Sequence, residues 1–123
     1  MMRAFIINLI AVFALTAGVR AQSFEQTYPV ENLASIMGEL HYLSYNCQGR
    51  RAQDWRETML EMLELEAPTR GAYRERLVDA FNDGFYRQSD RRPRCGAETE
   101  FQQRILAERG RALSDQIRRT YIE

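Results

Sequence analysis

Residues 70–88 read RGAYRERLVDAFNDGFYRQ. Tyr73, Leu77, Phe81 and Phe85 recur at steps of four, so they share one face of an α-helix and predict a helix over 70–88. Ala80 and Gly84 lie on the same face. Glycine inside a helix costs about 1 kcal/mol relative to alanine. Its use here predicts a tight crossing, where a neighbouring backbone comes too close to tolerate a side chain.

Helical spacing continues in both directions. Upstream, Pro29 suits a first helical turn, where its missing N–H is not needed. Leu33, Ile36, Met37, Leu40, Ser44 and Cys47 then fall on one face, while Ser35, Gly38, Tyr42 and Tyr45 fall on the other. Only Glu31 and Glu39 are charged between 30 and 46, so this helix is expected at the centre, packed on more than one side. Gly49-Arg50-Arg51 ends it. Asp54 with Glu57 three residues later has a capping-box pattern and opens a helix over 54–66, with Trp55, Met59, Met62 and Leu63 inward and Glu57, Glu61 and Glu64 outward. Ala67-Pro68-Thr69 breaks it, and Thr69 is placed to cap the helix at 70–88. After Arg91-Arg92-Pro93-Arg94-Cys95-Gly96, Thr99 and Gln102 offer a second capping box for a helix over 98–121. Its stripe is Phe101, Ile105, Leu106, Ala112, Leu113, Ile117 and Tyr121, with Arg109 inside it. No strand-like alternation, internal repeat or low-complexity tract interrupts the pattern. Short connections favour antiparallel neighbours, so the expected fold is all-α: a small antiparallel four-helix bundle.

The first 21 residues carry a different signal. Arg3 precedes an apolar run from Ala4 to Ala17, broken only by Asn8 and Thr16, and small or modest residues stand at Val19 and Ala21. This is the layout of a secretory signal peptide cleaved after Ala21, leaving residues 22–123 as one helical domain with no membrane span. The alternative is an uncleaved N-terminal anchor, although the run is shorter than the roughly 20 residues that cross a bilayer. No cysteine marks a lipoprotein cleavage site. All 17 basic residues are arginine, and two of them leave with the segment 1–21. The remaining 15 face 17 acids, a net charge of −2 that gives no global attraction to nucleic acid. In an exported chain the two cysteines, Cys47 and Cys95, are read as a disulfide. It would tie the end of the first helix to the approach of the last.

Three blocks and their spacing carry a resemblance: His41-Tyr42-Leu43 with Cys47; Glu66-Ala67-Pro68; and Arg76-Leu77-Val78 leading through Ala80-Phe81-Asn82 and Gly84-Phe85 to Cys95. Over residues 33–95 the chain resembles an uncharacterised family of small exported proteins of alphaproteobacteria. The resemblance implies an exported, disulfide-linked helical domain and brings no catalytic residues with it.

No motif specifies an enzyme. Metal sites need several converging ligands, and the chain has one histidine, His41, so neither a metal nor another cofactor is expected. A Cys–His nucleophilic pair would need a free thiolate. His41 is expected to flank the core and hydrogen-bond a neighbour. A carboxylate-based hydrolase of the cell envelope would need two carboxyl groups facing across a cleft. Glu39, Glu57, Glu61, Glu64 and Glu66 are available, but those of the second helix read as a solvated face. The arginines at 87, 91, 92 and 94 form either a solvated loop or a site for phosphate groups or an acidic partner. The acidic run from Glu57 to Glu66 is their natural counterpart. Tyr42 and Tyr45 are core if another helix covers them and a binding surface if not. Arg109 is an internal polar tie, a snorkelling side chain or a ligand-binding group. The expected function is a non-enzymatic binding, accessory or stress-chaperone-like role. It would act through an apolar groove rimmed by arginines, with His41, Tyr42, Tyr45, Arg91, Arg92 and Arg109 as the candidate surface and another envelope protein as the candidate partner.

Overall fold

The computed structural model describes residues 28–122, with side chains to Thr120. The segment 1–21, read as a signal peptide, and residues 22–27 lie outside the described residues. Four helices follow one another: α1 Pro29–Gln48, α2 Asp54–Glu66, α3 Ala72–Arg91 and α4 Ala97–Ile122. The described chain is all-helical, with no strand.

The helix ends differ from their sequence-level assignments. Asp54 is the first residue of α2 rather than its cap; the cap position is Gln53, which makes no side-chain capping bond. Thr69 precedes the α3 cap, Gly71. Thr99 is the third residue of α4 and reaches back: its Oγ1 accepts from the Gly96 N–H at 2.9 Å. That is the returning half of a capping box, made by threonine where glutamate or glutamine is usual. In each case the propensity is real but the turn is decided one to three residues away.

α1 is the hub. It packs on α3, α4 and α2, whereas α2 and α3 meet only slightly. Ten of its residues, including Ala34, Ile36, Met37, Leu40 and Leu43, are buried, which explains its poverty in charge. The α1–α3 crossing is the tightest contact. A Cβ on Gly84 would strike the Ser35 carbonyl oxygen and stand 3.2 Å from the Glu39 nitrogen. A Cβ on Gly38 would strike the Phe81 carbonyl oxygen and stand 3.0 Å from the Phe85 nitrogen. Gly38, placed by periodicity on the second face of α1, is thus the partner of Gly84. Polar ties flank this contact. Arg76 Nε donates to Glu31 Oε1 at 2.8 Å. Arg87 donates to Glu39 Oε1 at 3.3 Å and to Ser35 Oγ at 2.6 Å. Gln88 Nε2 donates to Glu39 Oε1 at 3.4 Å. Residue numbers rise together in these pairs, so α1 and α3 run side by side in the same direction.

Two apolar clusters share α1. One joins Val30, Ala34 and Met37 to Met59 and Leu63 of α2 and to Leu77 and Phe81 of α3. The other joins Ile36, Leu40 and Leu43 to Leu106 and Leu113 of α4. The inward line of α4 is Thr99, Leu106, Gly110 and Leu113. Phe101 (56% exposed), Ile105, Ala112 and Arg109, expected in the stripe, lie on the outer side, and Tyr73 at the start of α3 is also exposed. Arg104 instead lays its guanidinium over the Phe101 ring, 5.8 Å from the centroid, covering an apolar group from outside.

Cys47 and Cys95 form a disulfide, with 5.4 Å between Cα atoms and a sequence separation of 48. Closing a loop of that length stabilises a fold by about 4 kcal/mol in the chain-entropy model. It fastens the α3–α4 connection to the end of α1.

The crossing separates two kinds of glycine. Gly38→Ala and Gly84→Ala drive a methyl into backbone, and each is expected to lower unfolding free energy by about 2 kcal/mol or more. At Gly110 a new Cβ meets only the Ile36 and Leu33 side chains, at 3.5 and 3.6 Å. Gly110→Ala is therefore expected to be neutral or to stabilise by up to about 1 kcal/mol through helix propensity. Urea unfolding followed by circular dichroism measures all three.

Candidate functional site

α2 and α4 both lie on α1 but scarcely meet each other. The space between them is a groove made of two adjoining cavities. The upper one, about 470 Å³, is bounded by Leu40 and Ser44 of α1, Asp54 and Trp55 of α2, and Gln103 and Arg104 of α4. The lower one, about 340 Å³, is bounded by Leu33 and Ile36 of α1, Thr58 of α2, and Gly110, Arg111 and Ser114 of α4. Leu40, Trp55 and Ala107 border both. The cause is local: along the α4 wall Ala107, Gly110 and Ser114 follow at helical spacing, so that side of α4 is too small to reach α2. The floor is apolar, and Asp54, Glu100, Arg104 and Arg111 supply charge along the sides. Reading for large apolar residues missed this wall; the signal was the row of small ones.

His41 continues the α1 line Val30–Ala34–Met37 and is 7% exposed. Its ring centroid lies 5.7 Å from that of Phe81, 5.5 Å from that of Phe85 and 6.2 Å from that of Tyr45. The expected hydrogen bond to a neighbour is missing at Nδ1, which is buried with no partner among the described residues. Burial holds the imidazole pKa below its ordinary 6.5, and the Arg56 charge lowers it further. Tyr42 and Tyr45 pack edge-on against Phe85, with centroids 5.2 and 6.1 Å away, and are half-buried. This side of α1 is thus largely covered by α3.

The remaining candidates are dispersed. Arg91 and Arg92 are exposed at the end of α3 and border a third cavity together with Pro93 and Arg94, one that shares no lining residue with the groove. Arg109 is exposed on α4. Arg87 is spent on Ser35 and Glu39. The acidic run does not answer the arginine cluster: Glu57, Glu61 and Glu64 are exposed, and Glu64 lies 3.6 Å from Arg74. Glu39, by contrast, is buried and tied to α3. Cys47 is bridged and offers no thiolate. Among the described residues no three His, Cys, Asp or Glu side chains gather as a metal site, and no helix is long and apolar enough to cross a membrane.

The His41 environment has a definite pH signature. The unfolded chain binds a proton near pH 6.5 and the folded chain only at lower pH, so unfolding takes up a proton in between. The stability that neutral His41 contributes is complete above 6.5 and is lost as pH falls from there through the folded-state pKa. His41 is the only histidine, so its ring signals in an NMR titration are expected to show a midpoint below 6.5, and His41→Phe is expected to remove that part of the acid destabilisation.

Comparison with known proteins places the chain in a family. No curated protein and no solved structure matches the chain. Residues 24–121 match a family model described as protein of unknown function (DUF2385), a span that runs from before α1 into the last turn of α4 and includes both cysteines. The chain belongs to the DUF2385 family.

Proposed function

We propose that this is an exported, non-enzymatic binding protein of the periplasm, and that the groove between α2 and α4 receives an apolar helical segment of another envelope protein. The observation that carries the reading is the groove itself. An apolar floor with charged sides, left open because α2 and α4 do not close on each other, is the form in which helical domains take up amphipathic helices. Export is supported by the layout of residues 1–21 and by the Cys47–Cys95 bridge, which suits an oxidising compartment. Short connections support an antiparallel order of successive helices around α1, with α1 and α3 side by side. That order leaves α2 and α4 as the two walls. A stress-chaperone role would use the same groove for exposed apolar segments of unfolding proteins.

The reading is tested in cells by placing a photo-crosslinking residue at Thr58 or Ser114, on the groove sides, and at Asn82, exposed on α3. Expected are adducts to one defined partner from both groove positions and none from Asn82, with loss of the adducts in Ala107→Trp, which fills the groove. Equal adducts from Asn82, or adducts that survive Ala107→Trp in a protein of native helicity, would overturn it. The intact mass of protein from the periplasmic fraction is expected to begin at Gln22; a mass beginning at Met1 would refute cleavage and return the anchored alternative.

A further inference from the structure

We infer that the end of α3 and the start of α4 form an oxyanion site, with Arg91, Arg92 and Arg94 as its cationic groups and a phosphate-type group as its ligand. The three arginines border one cavity of about 380 Å³. Its floor is Leu43 and Gln88, both buried, and Thr99, Gln102 and Glu98 of α4 complete the lining. Glu98 is the one acid among these residues, so the lining carries an excess of positive charge. Arg74, Arg76, Arg87 and Arg118 each lie within 4.0 Å of a carboxylate. Arg91, Arg92 and Arg94 make no such pair and no side-chain hydrogen bond among the described residues. Their donors are therefore available around a ready-made recess. Guanidinium groups are suited to it, since each can give two parallel N–H donors to one oxyanion.

Two further features point the same way. The first intrahelical bond of α4 runs from the Glu100 N–H to the Gly96 carbonyl, at 3.0 Å. The N–H groups of Glu98 and Thr99, at the cavity edge, thus lie in the unpaired, positive first turn. Arg92 itself stands in the left-handed region, at φ 48° and ψ 56°, where it ends α3 by donating its N–H to the Ser89 carbonyl. Glycine or asparagine occupies such a position at lower cost. An arginine held there, between Arg91 and Arg94 at the cavity mouth, is strain placed where a charge is wanted. No residue lines both this cavity and the α2–α4 groove, so the site stands or falls apart from the groove reading.

The test titrates the purified protein with pyrophosphate and, in a second arm, with phosphatidylglycerol vesicles against phosphatidylcholine vesicles, following backbone amide shifts over residues 88–102. Saturable shifts with pyrophosphate assign the site to soluble phosphates. Binding to phosphatidylglycerol vesicles alone assigns it to a lipid headgroup. In either arm Arg91→Ala/Arg94→Ala is expected to weaken binding about tenfold or more, the scale of a lost charge-assisted hydrogen bond, while Arg70→Ala in the α2–α3 connection leaves it unchanged. Arg92→Gly is the sharper probe: it is expected to raise the melting temperature and still weaken binding. Absence of saturable binding in both arms, equal loss in Arg70→Ala, or full binding in both the double variant and Arg92→Gly would overturn the proposal.

Discussion

The close approach of α1 and α3 at Gly38 and Gly84 governs this fold. Each glycine faces the other helix's backbone at a distance that no larger residue permits. Neither pays back its own helix, since each gives up about 1 kcal/mol of propensity relative to alanine. What the pair obtains is burial: with the backbones close, Leu77 and Phe81 of α3 reach the α1 core from one side, and Phe81 lies against His41 of α1. Polar ties then fix the register. Glu39 is almost wholly buried, and a carboxylate there is tolerable only because Arg87 and Gln88 both donate to it. A slide of either helix by one turn would strand Glu39 and bring a Cβ against a carbonyl.

Once α3 occupies that side of α1, the rest of the architecture has little freedom. α4 takes the side bearing Ile36, Leu40 and Leu43, and α2 the side bearing Val30, Ala34 and Met37. Three neighbours around one buried helix leave seams between them. At the seam between α3 and α4 the disulfide fastens the connection to α1. At the seam between α2 and α4 nothing does, and the small residues Ala107, Gly110 and Ser114 keep it open.

Much of this was legible in the sequence. The four helices, their near boundaries, the central place of the helix poor in charge, the tight crossing at Gly84 and the pairing of Cys47 with Cys95 all follow from periodicity, composition and cysteine usage. The caps did not follow, because Asp54, Thr69 and Thr99 are good capping residues at places where the tertiary turn begins one to three residues away. The stripe of α4 also misled. Phe101 and Ile105 are apolar and correctly spaced, but α4 has one neighbour to bury against, so only the narrow line through Leu106, Gly110 and Leu113 is covered. A helix at the edge of an assembly buries a narrower face than its composition suggests, and how many neighbours it has is not written in its own sequence. Of the candidate surface residues, His41 is an interior group with no partner at Nδ1 among the described residues, while Arg109 lies on the outside.

The distribution of polar groups separates what holds the molecule together from what it can offer. Where α1 meets α3, polar ties cross between the helices: Glu39 with Arg87 and Gln88, Ser35 with Arg87. Along the α2–α4 seam and at the α3–α4 connection the pattern reverses. Apolar floor is uncovered, and Arg91, Arg92 and Arg94 border a cavity with no carboxylate partner among the described residues. A fold under selection for stability alone would fill the first with larger side chains on α4 and answer the second with acids already present on α2. Leaving both unsatisfied, beside a crossing fitted to the last methyl, is the arrangement that the two proposed binding roles require.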